Sequence, residues 1–284
     1  MRSFLESSFD YCRWLTRRSG SHFALSFYLL PAPRRQGMEI IYAFCRAMDD
    51  IVDTEGILPE QALRQLNDWR RELKAMEAGF PAHPITVALA EVQRSFGVPT
   101  AHFETMIDGM QMDLTYRRYP VFEELRSYCE KVASSVGWMS IKIFGCRNPA
   151  SERYATALGI ALQLTNILRD IKTDAAVGRV YLPQDDLKRF CVSEQDILEG
   201  RMMPALKQLL IFETARAEDY FKQAADHCRE SGEGRKLLPA QIMSKIYRRL
   251  LEKIQQSDYA VFGPKISVPK TEQIRIALRC LIAS

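Results

Sequence analysis

Apolar residues recur every three to four positions through most of the chain, the spacing of a helix with one buried face, and strict apolar–polar alternation is rare. The periodic stretches predict helices over 35–53, 60–78, 85–96, 100–114, 122–144, 151–174, 204–230, 237–257 and 271–282. Proline and glycine punctuate the intervals, at Pro31-Ala-Pro33, Gly79-Phe-Pro81, Gly97-Val-Pro99, Pro149, Gly178 to Pro183, Ser231-Gly-Glu-Gly234 and Gly263-Pro264. No Asn-Gly pair occurs, the single Asp-Gly pair (Asp108-Gly109) lies inside a helical-period stretch and gives no hairpin signal, no break is a long linker, and no solenoid-type repeat is present. The pattern predicts one all-α domain over residues 1–284, with an interior wide enough for a cavity as well as a core.

Composition narrows the class. Hydrophobic residues make up 47% of the 284 and charged residues 26%, an ordinary globular balance that argues against disorder. A net charge of +4 leaves no basic footprint, so no nucleic-acid partner is expected. Seven cysteines without a C-x-x-C pair disfavour both a disulfide framework and a zinc ribbon. No apolar run approaches the roughly 18 residues of a membrane span, and the N-terminal Met-Arg-Ser-Phe-Leu-Glu lacks an apolar signal core. A soluble, cytoplasmic protein is expected, with peripheral contact at the inner membrane face left open.

The candidate chemistry lies in two segments, Tyr42-Ala-Phe-Cys-Arg46-Ala-Met-Asp49-Asp50-Ile-Val-Asp53 and Gln163-Leu-Thr-Asn166-Ile-Leu-Arg169-Asp170-Ile-Lys-Thr-Asp174. At about 100° per residue, Tyr42, Arg46, Asp49 and Asp53 fall within roughly 60° of one another, and Gln163, Asn166, Asp170 and Asp174 within roughly 80°. Each helix so projects two carboxylates about 6 Å apart along its axis. Ile41, Phe44, Met48, Ile51 and Val52 lie away from the first face, and Ile160, Leu164, Ile167 and Ile171 flank the second.

An i, i+4 carboxylate pair can hold Mg²⁺ by one or two oxygens and leave water and phosphate oxygens to complete the shell. Two such faces opposed across a bundle would accept a diphosphate, with Arg46 and Arg169 neutralising charge and Asn166 offering an oxygen or an amide N–H. The alternatives are a solvated acidic face and a structural charge network. Strongly apolar neighbours and the recurrence of the pattern, each time with a nearby Arg, favour a site. Asp50 falls beside it. Asp108 and Asp113 fit either the pocket or a capped or solvated role, Asp185-Asp186 reads as a cap, and the four histidines have no mutual metal-ligand spacing.

These two segments resemble the aspartate-rich D-x-x-x-D motifs of the squalene/phytoene synthase family of head-to-head prenyltransferases. Tyr42 to Arg46 is similar to the family's Y-A-x-C-R lead-in, and Gln163 to Asp170 to its Q-L-x-N-I-L-R-D block. The resemblance continues in Ser19-Gly-Ser21-His22-Phe23 with Phe27-Tyr-Leu-Leu-Pro31, in Tyr128-Cys-Glu-Lys-Val-Ala-Ser-Ser-Val136-Gly137, and in Gly178-Arg179-Val-Tyr181-Leu-Pro183. Ile107 to Leu114, Leu182 to Leu187, Ile242 to Leu251 and Val261 to Lys265 look closest to bacterial presqualene diphosphate synthases of hopanoid pathways, although phytoene synthases share most of the blocks. His22 departs from a common Ser, Glu130 from a frequent aromatic and Lys265 from a frequent Arg.

The resemblance implies an isoprenoid-synthase helical bundle around a central apolar cavity, in which two farnesyl diphosphates condense to presqualene diphosphate. It implies Mg²⁺, with Mn²⁺ as a substitute, held by Asp49, Asp53, Asp170 and Asp174 with Asn166, and it adds Tyr128 to the catalytic set. Diphosphate support falls to Arg46, Arg169, Arg179, Ser19, Ser21 and Lys265, and the hydroxyls of Tyr128, Tyr181 and Tyr247 could bond phosphate oxygens as well. The prenyl-chain walls fall to Phe23, Phe27, Tyr42, Tyr128, Val136 and Tyr247, whose alternative is plain core packing, and Gln163, on the second acidic face, counts among the substrate-binding residues. NADPH is not expected, since neither a G-x-G-x-x-G following a strand nor a C-terminal membrane helix occurs. Squalene-forming enzymes would then act downstream. Phytoene, dehydrosqualene or NADPH-using squalene synthesis are the alternatives in the family. A non-catalytic reading rests on Ile274, Ile276, Leu278, Leu281 and Ile282, which would suit a surface-binding helix.

Overall fold

Proline in the first turn starts six of the helices, where its missing N–H is no loss, and glycine in the left-handed conformation stops three of the longer ones, at Gly97, Gly145 and Gly232. The computed structural model describes residues 3–18, 27, 29–54, 56–115 and 117–282, and no strand occurs among them. The helices are α1 (Phe4–Arg18), α2 (Ala32–Asp53), α3 (Pro59–Glu77), α4 (Pro84–Phe96), α5 (Thr100–Thr115), α6 (Phe122–Cys129) and α7 (Ser135–Phe144). They continue as α8 (Pro149–Ala176), α9 (Gln184–Arg189), α10 (Glu194–Leu198), α11 (Pro204–Ser231), α12 (Leu238–Gln256) and α13 (Lys270–Ile282). The all-α class expected from the spacing is the one observed.

Helix α8 is the central element. It packs along α11 on one side and meets α7 and α12 on others, while α2 is held by α1, α4, α5 and α7. Fourteen of its residues are buried, from Ala150 to Ile171, which is why its apolar positions spread around the helix instead of forming one stripe.

Besides the short helices α9 and α10, three features differ from the spacing. Helix α1 was not anticipated, because the face it buries carries Ser8, Cys12 and Thr16 while Phe4 and Trp14 remain exposed. The Thr16 hydroxyl donates to the Cys12 carbonyl at 3.0 Å and lies 2.9 Å from the Glu39 carbonyl on α2, so a polar contact replaces the usual apolar one. The predicted helix 122–144 is interrupted by a π-helical turn at Glu130–Ser134 between α6 and α7. A π turn leaves no compositional signature, and such turns recur at functional sites. The third difference concerns Asp185 and Asp186. Pro183 takes the cap position of α9, so both acids enter its first turn, and Asp186 is drawn to Arg216 at 2.8 Å.

That arginine ties α9 to α11. Its guanidinium also contacts Glu213 at 2.8 Å and lies over the Phe122 and Phe212 rings, at 4.0 and 4.7 Å from their centroids. No helix among the described residues is long and apolar enough to cross a membrane.

Candidate active site

The C-terminal halves of α2 and α8 carry their acids to one end of an elongated cavity of about 410 Å³. Asp49 and Asp53 of α2, Asp113 of α5 and Asp174 of α8 line that end, with Tyr128, Arg179, Tyr181, Asn166 and Tyr247 around them. Beyond them the walls are aliphatic and aromatic: Phe27, Ile41, Tyr42 and Val52 on one side, and Met106, Met110, Val136, Leu158, Leu162 and Met243 elsewhere. Phe27 meets Tyr42 edge to face, with centroids 6.5 Å apart.

The charges are arranged unevenly. Burial pushes the Asp49 carboxyl up to about 7, helped by Asp53, Asp50 and Asp113 and opposed by Arg46. Burial and the neighbouring Asp170 likewise push Asp174 up to about 7, against Arg179. Asp53 is raised by burial more than Arg179 and Arg46 lower it. Asp170 goes the other way: burial opposes its charge, but the forked guanidinium of Arg169 and the Lys265 ammonium at 3.2 Å hold it below the usual carboxylate range.

Asp113 forms the floor of the acid end. It accepts hydrogen bonds from the Tyr181 hydroxyl at 2.7 Å and the Tyr128 hydroxyl at 3.0 Å, and Arg179 donates to its backbone carbonyl at 3.2 Å. Burial raises its carboxyl despite these donors. Tyr128 and Tyr181 stack at 5.4 Å, and Tyr119 completes a cluster of three rings. Of the two roles open to Asp113 in the sequence, the structure places it at the pocket. Asp108 instead pairs with Arg70 at 2.6 Å outside the cavity.

The fit to a divalent cation rests on two observations. Buried acids crowd one end of the cavity without enough cations to balance them. The Asn166 side-chain oxygen is also buried there without a hydrogen-bond partner among the described residues. No three carboxylates, thiols or imidazoles among the described residues converge on one point. Mg²⁺ tolerates this, since it keeps waters and takes phosphate oxygens beside one or two carboxylates. Asp49, Asp53, Asp174 and Asn166 would face such an ion directly.

Other anticipated residues lie around this centre rather than in it. Asp170 does not line the cavity. Arg46 is half-exposed and pairs with Asp50 at 2.5 Å, and Arg169 and Lys265 turn to Asp170. All three cations flank the acid end, where a polyanion would approach. Gln163 and Val136 line the cavity, and Tyr247, buried beside Arg169 and Asn166, lines it from α12. Ser19, Ser21, His22 and Phe23 lie outside the described residues. Glu130 pairs with Arg126 at 2.7 Å at the start of the π turn and does not line the cavity. His83 caps α4 by accepting from the Ile85 amide at 3.1 Å, and His102 packs against Trp138, structural uses in both cases. Sequence reasoning missed Tyr119, Ser140, Phe144 and Tyr154, which sit outside any motif and are gathered only by packing.

Residues 16–272 match the model of the squalene/phytoene synthase family. The chain is similar to the 15-cis-phytoene synthase of Synechococcus elongatus, at 37% identity over 93% of this chain and 89% of that protein. Among solved structures it superposes on a dehydrosqualene synthase in complex with a ligand at TM-score 0.87 and 27% identity, covering 98% of this chain and 97% of the other. It also superposes on the squalene synthase of Alicyclobacillus acidocaldarius at TM-score 0.82 and 28% identity, covering 91% of this chain and 97% of the other.

Proposed function

The chain belongs to the squalene/phytoene synthase family of head-to-head prenyltransferases, and from that premise we propose that it condenses two farnesyl diphosphates to presqualene diphosphate, with Mg²⁺, in squalene and hopanoid synthesis. The observation that carries the reading is the acid end itself: carboxylates from α2 and α8 face each other at the head of an apolar chamber.

Magnesium bound there supplies Lewis-acid stabilisation of the charge that develops on a departing diphosphate. The chain's own residues do the rest. Asp49, Asp53, Asp174 and Asn166 would hold the ion, and Asp170 sets the position of Arg169 and Lys265. Arg179, anchored on the Asp113 carbonyl, presents positive charge from the loop after α8. Tyr128 and Tyr181 spend their hydroxyls on Asp113, so their role is to hold that floor and present ring faces.

When the allylic C–O bond breaks, its electron pair leaves with the diphosphate. The carbocation is then attacked by the double bond of the second chain, and a proton is lost as the cyclopropane closes. Aliphatic and aromatic walls keep water from the cation, and the Tyr42 and Phe27 rings offer π-faces to it. Cys45 and Ser140 are the small polar groups of the inner lining and neither is a base, because burial pushes the Cys45 thiol up. The released diphosphate, left beside the cation, is the group to which this reading assigns the proton.

A second reading, phytoene synthesis from two geranylgeranyl diphosphates, is supported by the names of the sequence relatives. Incubating the protein with either diphosphate and Mg²⁺, with and without NADPH, separates the two. A C30 cyclopropyl diphosphate in both samples is expected. Turnover of the C20 substrate alone would overturn the first reading, and squalene formed only with NADPH would make the protein a squalene synthase.

A further inference from the structure

We propose that Tyr154 is the end stop of the cavity and limits the length of the prenyl chain the site accepts, an inference that rests on reading this cavity as a prenyl-chain site. The lining carboxylates stand toward the C-terminal ends of α2, α5 and α8. Moving away from them, the last lining residue is Met38 on α2, Met106 on α5, Phe144 on α7 and Tyr154 on α8. At 1.5 Å per residue, Tyr154 lies about 30 Å along α8 from Asp174, whereas Met38 lies about 22 Å along α2 from Asp53. Tyr154 is thus the lining residue set deepest relative to the acids on its own helix.

The wall closes behind it. Tyr154 is 2% exposed, and in the next turn of α8 Ala150 and Ser151 are each 1% exposed and no longer line the cavity. The phenol has the Cys146 and Cys228 thiols as titratable neighbours and finds no hydrogen-bond partner among the described residues. A buried hydroxyl without a partner is costly, and a phenylalanine would fill the same wall without that cost. The hydroxyl therefore does not hold the fold together here. What the side chain supplies is volume at the far end, and the group whose length reaches that end is a chain anchored by its diphosphate at the acids.

Truncating Tyr154 to Ala removes a ring and a hydroxyl, more than the five carbons of one isoprene unit. The test is a competition between equal amounts of farnesyl and geranylgeranyl diphosphate with Mg²⁺, with product lengths read by mass spectrometry for wild type, Tyr154→Phe, Tyr154→Val and Tyr154→Ala. Tyr154→Phe is expected to keep the wild-type ratio of C20 to C15 use within about twofold. Tyr154→Val and Tyr154→Ala are expected to raise it by about tenfold or more, in the order of volume removed, because each added methylene in an apolar pocket discriminates by about that factor.

Calorimetric binding of unreactive farnesyl and geranylgeranyl thiodiphosphates gives the same ratio for any variant that folds but has lost turnover. An unchanged ratio in both Val and Ala variants overturns the proposal, whichever length the wild type prefers. Failure of the wild type to use either diphosphate would instead overturn the proposed function, and the binding ratio would then still decide the role of Tyr154.

Discussion

A β-carbon placed on Gly159 would stand 2.6 Å from the backbone nitrogen, the Cα and the Oγ of Ser134. Helix α8 and the π turn therefore touch backbone to backbone, and the Ser134 hydroxyl seals the contact by donating to the Thr156 carbonyl at 2.9 Å. On its other side the turn meets α5, where a β-carbon on Gly109 would lie 2.6 Å from the Val132 side chain. The π turn carries Val132 and Ala133 into the cavity wall, so two glycines allow the wall to form where it does.

Gly159→Ala is expected to destabilise the protein by about 2–3 kcal/mol, because the clash is with backbone and no side-chain rotation relieves it. Urea denaturation measures this. A loss below about 0.5 kcal/mol would show that the π turn yields freely.

Asp49→Asn and Asp174→Asn should each cut turnover at least about a hundredfold while making the metal-free protein more stable at pH 8. Both carboxyls are raised to about 7, so the folded chain binds protons more tightly than the unfolded one. The stability this contributes is present at low pH and is lost as pH rises through about 7. An amide carries no charge to lose, so the gain at pH 8 is on the order of 1–3 kcal/mol per site. Variants that are inactive and also less stable at pH 8 would contradict the electrostatic account.

Mg²⁺ with inorganic diphosphate should raise the melting temperature of the wild type at pH 8, since it binds the folded state and relieves the crowded acids. Chelation should reverse the gain. The Asp49→Asn protein should show a much smaller rise, and an equal rise in both would place the ion elsewhere.

Glu213 offers a control away from the cavity. It shares Arg216 with Asp186, and burial together with that second acid pushes it up to about 7 despite the guanidinium, since one cation balances only one of two buried carboxylates. Its contribution therefore falls as pH rises from about 4.5 through about 7. Glu213→Gln should flatten the pH dependence of the melting temperature over that window with activity retained. Unaltered pH dependence would mean that the pair is fully ionised throughout.

Much of the fold was legible because helix periodicity is local. The nine predicted helices start and stop within a few residues of the observed boundaries, with the π turn as the interruption in one of them. Helix α1 escaped because hydroxyl and thiol side chains occupy its buried face, and α9 and α10 are too short to show a period. At the site, spacing alone placed Asp49 with Asp53, and Asp170 with Asp174, on shared faces. It did not show that Asp170 would be neutralised by Arg169 and Lys265 while Asp49 and Asp174 stayed charge-starved.

The sequence by itself determined the helical class, the two acidic faces and the family, since each follows from residue identity and an intra-helix angle of about 100° per position. Tertiary structure alone decided that these faces meet, that Asp113 lies beneath them held by Tyr128 and Tyr181, and that the chamber ends near Tyr154. Those outcomes depend on which helices pack together and how closely, and close approach is set by small residues such as Gly159 whose meaning appears only once their neighbours are in place.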